Sequence, residues 1–200
     1  WDGNRPGQLE DYIREHSDVA VLDPREYFNT NRDYVWYYKT DTHWNSAGGY
    51  AAGQMLIEAL GGTPVPIEDV QVDYIKGAPG DLANLFHLPE KYCDDQIALV
   101  SGYHEDLEAT VQDVNGDKNI VYTSTPGAPD KRRIAVIRDS FGTALMDFLP
   151  RYFANVDFYH WQAFDRSFLE ENPPDAVVYL IVERDLTRIP QDVGKMVPEE

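Results

Sequence analysis

The chain has 200 residues, 42% of them apolar, which is enough for one full hydrophobic core and, on length, argues for a single domain over residues 1–200. Its formal charge is −18, from 35 acidic against 17 basic residues, and no basic stripe tracks a phosphate backbone, so nucleic acid is excluded as an expected partner. No run of roughly eighteen apolar residues and no charged-then-apolar leader stands out, so the expectation is a chain that neither spans a membrane nor carries its own export signal.

In chain order, Gln8 to His16 reads as a short helix. Val19-Ala20-Val21-Leu22 reads as a buried strand that stops at Asp23-Pro24. Pro24 to Asn31 is expected as another helix, and Tyr34 to Tyr38 as an extended segment that delivers the loop Asp41-Thr42-His43-Trp44. Ser46 to Leu60 carries Ala47, Ala51, Met55, Leu56, Ala59 and Leu60 at helical spacing, with Asn45 as N-cap and Gly61-Gly62 as the stop.

Residues 63–130 break this rhythm and read as a small β insertion decorating the main sheet. Gly80 to Phe86 has room for one or two helical turns. Ile97 to Tyr103, Leu107 to Val114 and Lys118 to Ser124 look extended, with Asn115-Gly116 as a hairpin turn because both residues tolerate positive φ. Asp113, Asn115 and Asp117 mimic the first half of a calcium loop, but Gly116 falls two positions before that loop's glycine and Ser124 stands where it needs a bidentate Glu, so the hairpin is the better account. Cys93, the only cysteine, rules out an intrachain disulfide and a paired-cysteine metal site, and is expected to be a buried, inert thiol.

Alternation then resumes: strand 134–137, helix 140–149, strand Val156 to Tyr159, helix Asp165 to Glu171, strand Ala176 to Val182, and a closing turn at Glu183 to Ile189, with a disordered tail after Pro190. Continuous apolar strands in βαβ rhythm argue for a mainly parallel sheet covered on both faces.

Ser140 stands at the junction between the apolar run Ile134-Ala135-Val136-Ile137 and the helical pattern that begins at Phe141. A serine there projects from the carboxyl edge of a sheet, where free N–H groups at a helix start can hold an oxyanion. Its hydroxyl needs a base, and His43, with Asp41 two residues earlier, offers an imidazole plus a carboxylate to fix its tautomer. The bland alternative makes Ser140 part of an ordinary N-cap region, with Asp139 as the cap. A metal reading of Asp41 and His43, with His160 as third ligand, lacks the spacing that announces zinc sites.

Four blocks carry a family resemblance: Tyr37-Tyr38-Lys39-Thr40-Asp41-Thr42-His43-Trp44-Asn45, Gly80-Asp81-Leu82-Ala83, Val136-Ile137-Arg138-Asp139-Ser140-Phe141 and Val182-Glu183-Arg184-Asp185-Leu186. In this order they resemble the SGNH hydrolase-like domain of the AlgX/AlgJ-type alginate O-acetylation proteins. The two-residue Asp-to-His spacing matches that family, where ordinary SGNH esterases use three. The resemblance implies a three-layer α/β/α SGNH hydrolase-like fold, an extracytoplasmic location, and a protein that moves acetyl groups onto a polysaccharide. It matches Asp41, His43 and Ser140 to the family triad. It also implies missing upstream sequence and a membrane-bound O-acyltransferase that relays the acetyl group, and the chemistry requires no cofactor.

The remaining residues keep two readings each. Trp44 is a flat platform for a sugar ring or a core residue that locks the loop. His160 and Trp161 line the same cleft or pack at a strand terminus. Glu183 and Arg184 form an ion pair that ties the sheet edge or, second, serve acyl or sugar recognition; Arg138 shares that ambiguity, and Gly80 is a candidate oxyanion donor. The strong acidity favours a neutral or cationic glycan over a polyanionic one. Three functions follow: an O-acetyltransferase acting on an exported polysaccharide, a carbohydrate acetylesterase of the SGNH type, and a non-catalytic glycan-binding or scaffold component.

Overall fold

A computed structural model describes residues 5–94 and 97–197. Its centre is a five-stranded mixed sheet, in the order β3 (Thr110–Asp113), β4 (Ile120–Ser124), β6 (Phe153–His160), β5 (Asp130–Arg138), β7 (Ala176–Leu180). A separate two-stranded antiparallel sheet joins β1 (Gln71–Ile75) to β2 (Ile97–Ser101).

The sheet is not mainly parallel. β5 runs parallel to β6 and to β7, but β4 is antiparallel to β6 and β3 to β4. The hairpin at Asn115-Gly116 therefore does more than decorate the sheet. It extends it, with Val121 opposite Phe158 and both buried. Gly116 takes φ +74 and Lys118 φ +59, and the Asp113 carboxylate accepts from the amides of Gly116 and Lys118, which closes the turn without a cation.

β5 is buried along Ile134–Ile137 because helical layers and neighbouring strands surround it. On one face Ile134 and Val136 pack with Val156, Phe158 and Leu145 and with Leu56 and Ile57 of α3 (Ser46–Ala59). Each such fully buried side chain contributes ~1.5–3 kcal/mol relative to exposure. The other face is thinner, with Ala135, Ile137, Tyr159 and Phe164 at its centre and Phe168 of α5 (Ser167–Glu171) against them. The tail expected to be disordered forms α6 (Ile189–Met196). Met196 packs on this face, and buried Asp192 accepts from the Tyr179 hydroxyl at 2.6 Å.

α1 (Arg5–His16) and α2 (Arg25–Thr30) form as expected, but Val19–Leu22 is no strand. Val19 is 64% exposed, and no strand among the described residues pairs with this stretch, so its apolar content finds no ladder. Cys93 is exposed, which corrects the expectation of a buried thiol. The segment after β5 is a 3-10 helix, Ser140–Asp147, followed by a second, Leu149–Arg151, in place of one α-helix.

α3 lies close against the Ser140–Asp147 helix. An added Cβ at Gly49 would stand 2.4 Å from the Ala144 Cβ, so only glycine permits this approach. Asn45, fully buried, caps α3 by accepting from the amides of Ala47 and Gly48, while its own amide group donates to the Val35 carbonyl at 2.6 Å. The chain just before α3 is thereby fixed beside the chain just after β5.

Candidate active site

The Asp41–Trp44 loop is the tip of a hairpin-like turn. Tyr37 and Trp44 form an isolated antiparallel bridge, and Tyr38 donates to the His43 carbonyl at 3.2 Å. Trp44 is 8% exposed and its indole N–H donates to the Phe141 carbonyl at 2.9 Å. It therefore locks the loop to the Ser140 turn and offers no sugar platform, which corrects its candidacy as a substrate-binding residue.

This lock brings three distant side chains into one line. Asp41 Oδ1 lies 2.6 Å from His43 Nδ1, and His43 Nε2 lies 2.7 Å from Ser140 Oγ. The carboxylate also accepts from the amides of His43 and Asp81, each at 3.0 Å. Burial pushes the Asp41 carboxyl up, but the His43 side chain and these two amides outweigh it and hold the group below its ordinary pKa. With its ionised form favoured, Asp41 accepts from a proton on Nδ1 and leaves Nε2 to accept from the serine hydroxyl.

A second carboxylate, not read from the sequence as part of the site, braces the loop. Asp81 opens α4 (Asp81–Leu85) and accepts from the Thr42 amide at 2.8 Å and the Thr42 hydroxyl at 2.5 Å. Gly80 makes this possible, since a Cβ there would sit 2.5 Å from the Thr40 carbonyl oxygen. Its N–H donates to Thr40 Oγ1 at 2.9 Å, so it is occupied and is not an oxyanion donor. The Gly80-Asp81 block was the available signal for this brace.

Asp41, His43 and Asp81 place ligand atoms within 4.8 Å of one another. In this arrangement His43 Nδ1 is engaged by Asp41 at 2.6 Å, and the Asp81 carboxylate accepts from the Thr42 amide and hydroxyl. The third group of that cluster is Asp81 and not His160.

At the Ser140 turn Asp139 is the cap, as the bland reading had it. Its side chain accepts from the amides of Phe141 at 2.9 Å and Val182 at 2.6 Å, and its carbonyl accepts from Gly142 at 3.2 Å. The second and third amides of the 3-10 helix, those of Phe141 and Gly142, are thus occupied. The N–H of Ser140 itself has no partner among the described residues, and Ser140 is exposed.

The other candidates spread along the same edge. His160 ends β6, and burial followed by the nearby Arg138 cation holds its pKa below the ordinary imidazole value. Trp161 carries the Arg188 guanidinium 3.8 Å above its ring and the Lys195 ammonium at 5.6 Å, so its face is covered. Arg184 is exposed and lies 5.5 Å from the Phe141 ring centroid, which is itself 4.8 Å from the imidazole of His43. The expected Glu183–Arg184 ion pair is not formed; Glu183 lies 3.9 Å from Arg25 instead. Beyond Asp81, a cavity of about 390 Å³ is lined by Thr40, Leu82, Phe86, Leu88 and Tyr92 among others, with Phe86 69% and Tyr92 48% exposed.

No protein-family model matches the chain, and no curated protein matches it. Solved structures do. A DHHW family protein from Eubacterium siraeum aligns over 100% of this chain and 77% of its own length, with 15% identity and a TM-score of 0.77. Bacillus cereus PatB1 aligns over 92% of this chain and 76% of its own, with 14% identity and a TM-score of 0.70; its structure with a sulfonyl adduct gives 0.68. The O-acetyltransferase domain of Pseudomonas putida AlgJ covers 90% of this chain and 64% of its own, at 19% identity and a TM-score of 0.47. The chain is thus closer in structure to the DHHW protein and PatB1 than to the AlgJ domain, to which its relation is distant. At these identities the likeness is one of fold.

Proposed function

We propose that this chain is a serine-dependent O-acetyltransferase acting on an exported polysaccharide. The observation that supports it is the hydrogen-bonded line Asp41–His43–Ser140, at 2.6 and 2.7 Å, on the carboxyl edge of β5. The sequence resemblance to the AlgX/AlgJ-type proteins supplies the acetyl group and the glycan.

In this reading His43 Nε2 takes the Ser140 proton as Oγ bonds to the acetyl carbonyl carbon, and the carbonyl π electrons move to oxygen. Ionised Asp41 stabilises the imidazolium, and the Ser140 N–H faces the oxyanion. As the carbonyl re-forms, the bond to the leaving group breaks and that group takes the proton from His43. A sugar hydroxyl, deprotonated by His43, then attacks the acetyl-serine and releases Ser140 with its proton restored. No step draws on a cofactor. The exposed aromatics Phe86 and Tyr92, which line a cavity with Thr40 and Leu82, supply flat apolar surface of the kind sugar faces pack on.

The same resemblance motivates an extracytoplasmic location and a membrane-bound O-acyltransferase as acetyl relay. Among the described residues no helix is long and apolar enough to cross a membrane. The exposure of Ser140 favours one second reading, hydrolysis of a carbohydrate acetyl ester, because water reaches the acyl-serine as readily as a sugar does.

The test is incubation with 4-nitrophenyl acetate and a panel of neutral and cationic oligosaccharides. Transfer predicts acetylated sugar that disappears in Ser140→Ala. Free acetate alone across the panel supports the esterase, and turnover unchanged in Ser140→Ala removes both readings.

A further inference from the structure

Arg138 is 3% exposed and makes no direct ion pair among the described residues, although the neighbouring Asp139 carboxylate favours its charge through space. Its stem passes beneath the nucleophile turn. An added Cβ at Gly142 would meet the Arg138 Cβ at 2.6 Å and Cδ at 2.8 Å, so this crossing requires glycine there. Beyond the stem, the guanidinium donates to two backbone carbonyls: that of Lys118 at the hairpin turn, and that of Asp139 at 3.2 Å, through Nη1. Its Nε has no partner, and burial pulls its pKa below the ordinary arginine value.

A buried cation facing dipoles is costly where an ion pair or an apolar side chain would serve. What it holds is specific. The Asp139 carbonyl and the Ser140 N–H belong to one peptide group, planar and trans, with C=O and N–H pointing oppositely. Arg138 Nη1 and the Gly142 amide both donate to that carbonyl, so they fix the plane from one side. The N–H on the other side is the unpaired amide at the nucleophile. Two donors on the oxygen also polarise the peptide, which strengthens its N–H as a donor.

We propose that Arg138 is a positioning residue: by clamping the 139–140 peptide through its carbonyl, it aims and polarises the Ser140 N–H toward the oxyanion and places a positive field beneath the developing charge. This rests on the serine-acylation reading above. Arg138 touches no substrate, so its removal acts on the charged intermediate and not on substrate binding.

The test compares wild type, Arg138→Met and Arg138→Lys in single-turnover acylation by 4-nitrophenyl acetate and in binding of methylboronic acid, which forms an anionic tetrahedral adduct on an activated serine. Arg138→Met is expected to lower the acylation rate about 10²-fold, the scale of losing one oxyanion donor. KM should stay within about twofold, and boronate affinity should fall in parallel, since uniform binding is untouched. Arg138→Lys keeps the charge and an aliphatic stem but has a single nitrogen in place of the planar fork whose Nη1 and Nη2 each serve one carbonyl, and should recover only part of the rate. Should Arg138→Met fail to fold, the lysine variant still decides: acylation and boronate binding at wild-type levels overturn the clamp. So does a KM increase with an unchanged acylation rate in either variant. If wild type itself forms no Ser140 adduct, the serine-acylation reading fails, an outcome separate from normal acylation in Arg138→Met, which sinks the clamp alone.

Discussion

His43 Nε2 lies 2.7 Å from Ser140 Oγ although 97 residues separate them in the chain. Two contacts hold that distance: the Trp44 indole on the Phe141 carbonyl at 2.9 Å, and Gly49 of α3 against Ala144 of the Ser140 helix. The Asp41–His43–Ser140 geometry is thus a consequence of how α3 packs, and it is open to test by changes that leave these three side chains in place.

Gly49→Ala puts a methyl 2.4 Å from the Ala144 Cβ. Overpacking of this kind costs about 1–3 kcal/mol and pushes the two helices apart. The expected result is a destabilised variant with slower acylation, both partly restored by Ala144→Gly. Denaturant unfolding and acylation rates of the two single variants and the double variant measure the coupling.

Trp44→Phe keeps the ring but removes the donor to Phe141. A buried carbonyl left unpaired costs about 1–3 kcal/mol. Acylation should fall further than KM changes, because the loop that carries His43 loses its tie to the nucleophile turn; steady-state kinetics beside a urea titration separates the two effects.

Asn45→Ala removes the α3 cap and also orphans the Val35 carbonyl. The cap alone is worth about 0.5–2 kcal/mol. Thermal unfolding should show that loss or more, and Asn45→Asp, which keeps the acceptor but not the donor, should fall between the two.

Asp41→Asn should reduce turnover by about 10²–10⁴-fold while the protein stays folded, because an amide no longer secures the tautomer with its proton on Nδ1. Circular dichroism and ester turnover on the same preparations check both halves of this expectation.

The stability of the chain should decline in acid for identifiable reasons. Asp23 and Asp130 are held below their ordinary pKa first by the side chains of Arg25 and Arg132, and Asp41 by the His43 bond and two amides in spite of its burial. Each favours the ionised form in the fold, so its contribution is present above the ordinary carboxylate pKa of about 4 and is lost as pH falls through the lower folded-state value. Asp157 works the other way. Burial raises its pKa despite Arg133, so its contribution is greatest at low pH and is lost as pH rises through the raised value. Unfolding free energy measured from pH 7 down to 2 should fall below pH 4, with a shallower slope in Asp41→Asn.

The Asp-x-His pair and the serine after an apolar strand were legible because local pattern carries them: a continuous apolar run buries itself as β5, and Asn45 caps whatever follows it. Strand direction was not. Whether β4 lies parallel or antiparallel to β6 depends on the hairpin's docking and on no residue within β4. Val19–Leu22 has the composition of a strand but no partner ladder among the described residues. Asp81 escaped notice as part of the site because its bonds to Thr42 span 39 residues, and Trp44 kept two readings because a tryptophan beside a base looks the same whether its N–H meets a sugar or the Phe141 carbonyl. Arg138 was visible as a charge next to Ser140, but that it makes no direct ion pair among the described residues and donates to two backbone carbonyls is a property of the folded surroundings alone.

The account stands most directly on whether Ser140 is an activated nucleophile. Intact mass after brief exposure to 4-nitrophenyl acetate, in wild type, Ser140→Ala and His43→Ala, answers that. The account predicts one acetyl adduct, mapped to Ser140 and lost in both variants. No adduct in wild type, or an adduct of equal size in His43→Ala, would contradict it.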